Sequence, residues 1–162
     1  MIVIRNAVID DLPPLLDIYN YAILNLTATF ELEEQTLEQQ MECFDDKYPL
    51  IVAEEEGNVI GYSCLNPFNK KAAFAQTAEL SIYIAPNHQG KGIGKKLMKA
   101  ILELAKQMNF HTVIGGITGG NEASIYLHKN FGFVHAGTLK EVGYKFWEWQ
   151  EVHYYQLIFE SS

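Results

Sequence analysis

Apolar residues recur along this chain with two periods, and the switches between them divide it into elements. Residues 2–5 read as a first strand. A helix then runs from Asp10 or Asp11 to Leu24, with Asp at its start, Pro13 and Pro14 in its first turn, and an apolar stripe of Leu12, Leu15, Leu16, Ile18 and Tyr19. Residues 25–30 form a polar-aromatic loop, and 33–44 a second, more weakly amphipathic helix that covers one end of a sheet. Residues 50–53 and 59–65 are short strands joined by the turn Glu55-Glu56-Gly57-Asn58. After a loop at 66–75, Leu80, Ile82 and Ile84 alternate with Glu79, Ser81 and Tyr83, which marks a central strand that Pro86 and Asn87 end.

Helical period returns next. Ile93, Leu97, Ala100, Ile101, Leu104 and Met108 share one face, while Lys95, Lys99, Glu103 and Lys106 occupy other sides. Residues 112–114 are a fifth strand, 115–120 a glycine-rich crossing, and Asn121 opens a short helix ending near Asn130. Residues 131–134 start a further strand. Residues 137–150 read as a return loop carrying Trp147 and Trp149, before 152–159 alternate as the last strand.

Composition narrows the class. The 162 residues suit one domain with its own core, spanning 1–162, and 48% hydrophobic with 20% charged residues is ordinary for a soluble protein. No apolar run reaches membrane-spanning length, and the start shows no basic and apolar leader, so the expected place is the cytoplasm with no membrane partner. A formal net charge of -8 argues against nucleic acid. Cys43 and Cys64 are read as buried thiols, and the five scattered histidines give no chelating pattern, so no metal is expected.

The chemistry begins at His88-Gln89-Gly90-Lys91-Gly92-Ile93-Gly94, where a strand gives way to a helix. Missing side chains let backbone N–H groups approach an anion, and the helix N-terminus adds roughly half a positive charge. The spacing fits neither a dinucleotide fingerprint, since position 95 is Lys, nor a P-loop, since Lys95-Lys96-Leu97 stands where Gly-Lys-Ser/Thr would be needed. Gln89-x-x-Gly92-x-Gly94 instead resembles the pyrophosphate-binding motif of the GNAT superfamily of acyl-CoA-dependent N-acetyltransferases. A second block, Asn121-x-x-Ser124-x-x-Leu127-His128-x-x-x-Gly132-Phe133, resembles another segment of that family, with His where Tyr is usual. That His, together with Thr29-Phe30, Pro67-Phe68, Glu79, residues 81–84 and the run Val142-Gly143-Tyr144-Lys145-Phe146, resembles the phosphinothricin and methionine sulfoximine acetyltransferase branch.

The resemblance implies an α/β GNAT fold: a mixed, mostly antiparallel sheet of about seven strands flanked by four helices. It implies acetyl-CoA as co-substrate, with the backbone of Ile82, Tyr83 and Ile84 along the pantetheine arm and Gln89, Gly90, Lys91, Gly92, Ile93, Gly94 and Lys95 around the pyrophosphate. Asn121 reads as a ligand of the arm or as a plain helix cap, and Asn130 as a further cofactor contact. Phe30, Lys71 and Phe74 are implied for the substrate pocket. Asn69, Lys70 and Lys71 stand where the branch tends to carry arginines, and lysine lacks the bidentate fork that suits a phosphinate. A homodimer is also implied, with the aromatic segment 137–150 near the partner.

Acetyl transfer to an amine needs a proton acceptor and, later, a proton for the leaving thiolate. Glu79, opposite in orientation to Leu80, is the candidate base, or else an exposed or salt-bridged carboxylate. His128 is the candidate acid, or else a structural residue at the end of a helix. The leading expectation is an N-acetyltransferase acting on a small amino-acid-like substrate. Its competitors are a GNAT enzyme for a polyamine, aminoglycoside or protein N-terminus, and an acyl-CoA-binding module without turnover.

Overall fold

The computed structural model describes residues 1–42, 44 and 47–160; Cys43 lies outside them. Seven strands form one sheet: β1 (Ile2–Asn6), β2 (Leu50–Glu55), β3 (Asn58–Pro67), β4 (Thr77–Ile84), β5 (Thr112–Thr118), β6 (Val134–Lys145) and β7 (Glu148–Ile158). Their spatial order is β1-β2-β3-β4-β5-β7-β6. Only the β4–β5 pair is parallel, and α3 (Ile93–Gln107) makes the crossover that brings β5 back alongside β4. The remaining helices are α1 (Leu12–Asn25), α2 (Leu37–Glu42) and α4 (Glu122–Asn130).

Alternation along the strands builds a core on each face. On one, Ile93, Leu97, Met98 and Ile101 of α3 pack against Ala78, Leu80 and Val113, with Ile125 and Leu127 of α4 beside them. On the other, Leu12, Leu15 and Ile18 of α1 cover Val52 and Tyr62. The entry to α1 is fixed by charge: the Arg5 guanidinium donates to both Asp11 carboxylate oxygens at 2.8 and 2.9 Å and to Glu54 Oε2 at 2.7 Å, while the Val8 N–H donates to Asp11 Oδ2. Arg5 thereby holds the Asp11 carboxyl below its ordinary range.

Three expectations need correction. The helix read over 33–44 is only the six residues of α2, none of them buried, because its weak apolar stripe gives too little area to dock a longer one. The glycine-rich crossing is for the most part strand: residues 115–118 continue β5, paired with residues 152–155 of β7. The return loop is a hairpin. β6 and β7 stay paired from Val134↔Gln156 to Lys145↔Glu148 around a two-residue turn, with register shifts between His135 and Gly137 and between Leu139 and Gly143. Phe146 and Trp147 form that turn at φ of 55° and 64°, the left-handed values a tight hairpin needs and that bulky residues rarely adopt. No Gly or Asn marks the turn, so the sequence hides it. The β2–β3 turn, with Glu56 and Gly57 at positive φ, falls where expected.

Candidate active site

The sheet splits at its centre. β4 and β5 pair only through Thr77↔Thr112, Ala78↔Val113 and Glu79↔Ile114. Beyond Glu79 the strands diverge, so residues 80–84 are paired with β3 on one side and, among the described residues, with no strand on the other. Backbone polar groups on such an edge need partners, which an extended amide-bearing ligand can supply.

At the open end of the split stands the glycine loop. Gly90 and Gly92 sit at φ of 79° and 78°, with nothing within 4 Å of where a Cβ would be, so here glycine serves the backbone turn. Gly92 is the N-cap of α3 and has no side chain to cap with, which leaves the N–H groups of Ile93, Gly94 and Lys95 turned outward from the first turn. At Gly94 the fold itself leaves little room for a side chain. A Cβ there would lie 3.2 Å from Leu127 Cδ2 and 3.6 Å from Ile84 Cδ1, so this glycine lets α3 pack close to α4 and β4. Gln89 donates from Nε2 to the Ile84 carbonyl at 3.1 Å and so closes the turn. Lys91 donates to His88 Nδ1 and lies 3.9 Å from Glu55.

Glu79 and His128 approach the apex of the split from opposite faces. Glu79 shares the α1 face with Ser81 and Tyr83 and lines a cleft of about 300 Å³ with Tyr19, Phe30, Thr118 and Tyr154. Among the described residues its carboxylate has no hydrogen bond or ion pair, and burial pushes its pKa above the ordinary carboxylate value. Past Tyr19, Ser81 and Tyr83 a second cavity of about 280 Å³ opens toward Gln35, Gln40, Cys64 and Asn66. Cys64, expected to be buried, is only partly so and lines this cavity.

His128 is buried, 5% exposed, on the α4 face. Its Nδ1–H donates to the Ser124 carbonyl at 2.7 Å, and its ring meets Phe133 edge-on at 4.9 Å. Nε2 lies against Gly115, where a Cβ would be 2.7 Å away. Burial lowers its pKa, so at neutral pH the ring is uncharged and Nε2 carries a lone pair.

The other expected site residues separate. Asn121 caps α4, its Oδ1 accepting from the Ser124 N–H at 3.3 Å, while the Nδ2 hydrogens take no part in that cap. Asn130 is exposed at the other end of α4, about 13 Å along the helix axis. Phe30 is in the cleft. Lys71 and Phe74 do not line it: Lys71 is exposed, and Phe74 packs on Phe68 with ring centroids 5.9 Å apart. Sequence reasoning passed over Tyr19, Thr27, Thr29, Thr118 and Tyr154, all of which reach this cleft beside Tyr83. Only Thr29 had a signal, inside the matching Thr-Phe pair. Among the described residues no group of three or more His, Cys, Asp or Glu is placed to hold a metal ion, and no helix is long and apolar enough to cross a membrane.

A glycine turn opening a helix beside a parting strand pair agrees with what the family model recognises, since residues 15–133 match the acetyltransferase (GNAT) family. The chain belongs to the GNAT family of N-acetyltransferases. It is 36% identical over 159 residues, 95% of this chain and 92% of the relative, to an L-methionine sulfoximine/L-methionine sulfone acetyltransferase of Pseudomonas aeruginosa. It superposes with a TM-score of 0.94 on a GNAT superfamily phosphinothricin acetyltransferase from Sinorhizobium meliloti in complex with AcCoA, at 33% identity and covering 97% of this chain and 88% of that one. A ribosomal-protein-alanine N-acetyltransferase from Brucella melitensis superposes equally well, with a TM-score of 0.94 at 41% identity and coverage of 97% and 99%. GNAT acetyltransferases use acetyl-CoA, and the split and glycine loop of this acetyltransferase fit it: an unpaired strand edge for an amide-bearing arm, and outward N–H groups for a pyrophosphate.

Proposed function

We propose that this acetyltransferase moves the acetyl group of acetyl-CoA to the α-amino group of a small amino acid or amino-acid analogue of the methionine sulfoximine or phosphinothricin type. The observation that carries the reading is Glu79, a half-buried carboxylate with no partner among the described residues, at the apex of the β4–β5 split and facing a cleft on the sheet face opposite His128. Bound acetyl-CoA supplies a thioester carbonyl for the amine nitrogen to attack. The protein's own task is to deliver that nitrogen without its proton. Glu79 accepts the proton of the bound ammonium, directly or through one water, and a pKa raised by burial brings its basicity closer to the task.

The backbone of Ile82, Tyr83 and Ile84 and the amides of 90–95 hold the co-substrate, with Asn121 combining cap and ligand. His128 fits the acid role poorly. Its single proton is committed to the Ser124 carbonyl, and burial disfavours the imidazolium that could donate from Nε2. We assign it instead to the packing of α4 on β5, with the thiolate reprotonated from water.

The size and charge of the two cavities, which share Tyr19, Ser81 and Tyr83 in their walls, support a small acceptor with an uncharged side chain. Glu31 and Glu79 are the charged residues among their described linings, and no lysine or arginine is among them. A sulfoximine or sulfone suits those amides and hydroxyls, whereas a phosphinate would enter beside two carboxylates without a cation. Release of free thiol from acetyl-CoA is the test, with methionine sulfoximine, phosphinothricin, spermidine and an alanine-initiated peptide as acceptors. Turnover of methionine sulfoximine is expected to lead. Turnover confined to spermidine or the peptide would overturn the reading.

We also propose a homodimer. Trp147 is 89% and Trp149 61% exposed at the hairpin tip, beside Tyr144 and Phe146, an aromatic patch that a second copy would cover. Light scattering at micromolar protein should give twice the chain mass, and a monomeric mass would reject it.

A further inference from the structure

One wall of the acceptor cleft is a strap, residues 27–30, and each of its residues is held from a different place. The Thr118 hydroxyl donates to the Thr27 carbonyl at 2.6 Å. Tyr83 donates to the Ala28 carbonyl at 3.5 Å, and Tyr19 shares a hydrogen bond with the Thr29 hydroxyl at 3.0 Å. Phe30 lies flush on Gly143, where a Cβ would come 2.5 Å from its ring. The remaining tie is Lys145 Nζ, which donates to the Thr29 carbonyl at 2.7 Å.

Lys145 is an odd residue to find there. It is 3% exposed, at the last position of β6 and two residues from the solvent-exposed Trp147. Its ammonium has a neutral carbonyl as hydrogen-bond partner, the Phe146 ring at 5.1 Å, and the field of Glu31. Burying a charge on so little compensation is costly, and an apolar side chain would serve the fold at lower cost. What an apolar side chain lacks is the donor for Thr29.

We propose that Lys145 is a positioning residue for the acceptor: by fixing the Thr29 carbonyl it sets Thr29 and Phe30 across the cleft from Glu79, and so governs amine binding without touching the co-substrate. The inference rests on the amino-acid acetyltransferase reading above. Lys145→Met keeps the stem and removes the donor, leaving the Thr29 carbonyl unpaired. The amine KM should rise about tenfold or more, with the acetyl-CoA KM within about twofold. Lys145→Arg, which restores a cationic donor, should recover part of the loss. Gly143→Ala should produce the same split with Lys145 intact, since it displaces Phe30 from the other side.

A second readout needs no turnover. Amide hydrogen exchange should quicken at Glu31, whose N–H donates to the Thr29 hydroxyl at 3.2 Å, and not in α3. If Lys145→Met does not fold, Lys145→Leu, which also lacks a donor, carries both measurements. An amine KM unchanged in a folded variant, or both KM values raised alike, overturns the proposal. If the wild type acetylates no amino acid, the functional reading falls. Strap-confined exchange would then still show Lys145 holding residues 27–30, and unchanged exchange would remove that as well.

Discussion

The two faces of the split sheet are built from different materials. On the α3 side the candidate co-substrate site is almost all backbone: an unpaired edge of β4, two glycines at positive φ, and the N–H groups of one helical turn, all within residues 80–95. On the α1 side the candidate acceptor site is all side chains, drawn from α1, the strap, β4, β5 and the β6–β7 hairpin, and spread over residues 19–154. A backbone site can recognise a ligand shared by a whole family whatever the neighbouring side chains become. A side-chain site can change its ligand one substitution at a time. The first therefore suits a ligand that a whole family shares, and the second is the candidate seat of this enzyme's own specificity.

The comparison breaks most decisively at Glu79, the side chain at the apex where both sites meet. Glu79→Gln keeps the shape and removes the basicity of the proposed base, so turnover at neutral pH should fall by on the order of a hundredfold or more while acetyl-CoA affinity holds. An alkylammonium needs an acceptor most at low pH, so the deficit should shrink as rising pH deprotonates the free amine. Turnover within threefold of wild type across the pH range would remove Glu79 as the base.

A smaller effect is expected from the backbone side. Gly92→Val puts a branched side chain on a residue at φ of 78°, where left-handed geometry costs roughly 1–2 kcal/mol or more and the N-cap of α3 must shift. Coenzyme A affinity measured by calorimetry should drop about tenfold or more, since 1.4 kcal/mol is a factor of ten. The same change at Gly94 works through another cause, by prying α3 from Leu127 and Ile84. It should lower thermal stability as well as affinity. Equal affinity in both folded variants would refute the anion cradle.

The asymmetry between the faces also explains what could be read from the chain alone. Helix and strand periods gave six of the seven strands and most of the helices, and Gln89-x-x-Gly92-x-Gly94 is a local pattern because the geometry it encodes is local. The acceptor cleft has no such pattern. Thr118 and Thr27 are 91 positions apart and Lys145 and Thr29 116, and nothing in the residues between them announces either bond. The β6–β7 hairpin was missed for a related reason. Its turn is Phe146-Trp147, with both residues at positive φ and neither Gly nor Asn to announce it. Lys71 and Phe74, which the resemblance implies for the substrate pocket, do not line the cleft of this chain.

The smallest expected effect on turnover belongs to His128, and it separates an acid from a packing residue. As a catalytic acid it would have to be charged, yet its only proton at neutral pH is spent on Ser124 and its ring fills the space above Gly115. His128→Asn retains an N–H for the carbonyl but loses the ring's contact with Phe133, so stability should fall by about 1–3 kcal/mol and turnover by less than about tenfold. The pH dependence has a defined sign. Burial lowers the folded-state pKa below the ordinary value of 6.5, so in the window beneath 6.5 the unfolded chain binds more protons than the native one, and stability rises with pH through that window. Wild type should therefore lose stability on acidification from pH 7 towards 5. In His128→Asn that part of the loss should be absent, since nothing at position 128 titrates. Denaturant melts of both proteins across this range give the difference directly. If the two lose stability in parallel while the variant's turnover drops a hundredfold, His128 is the acid and the packing assignment is wrong.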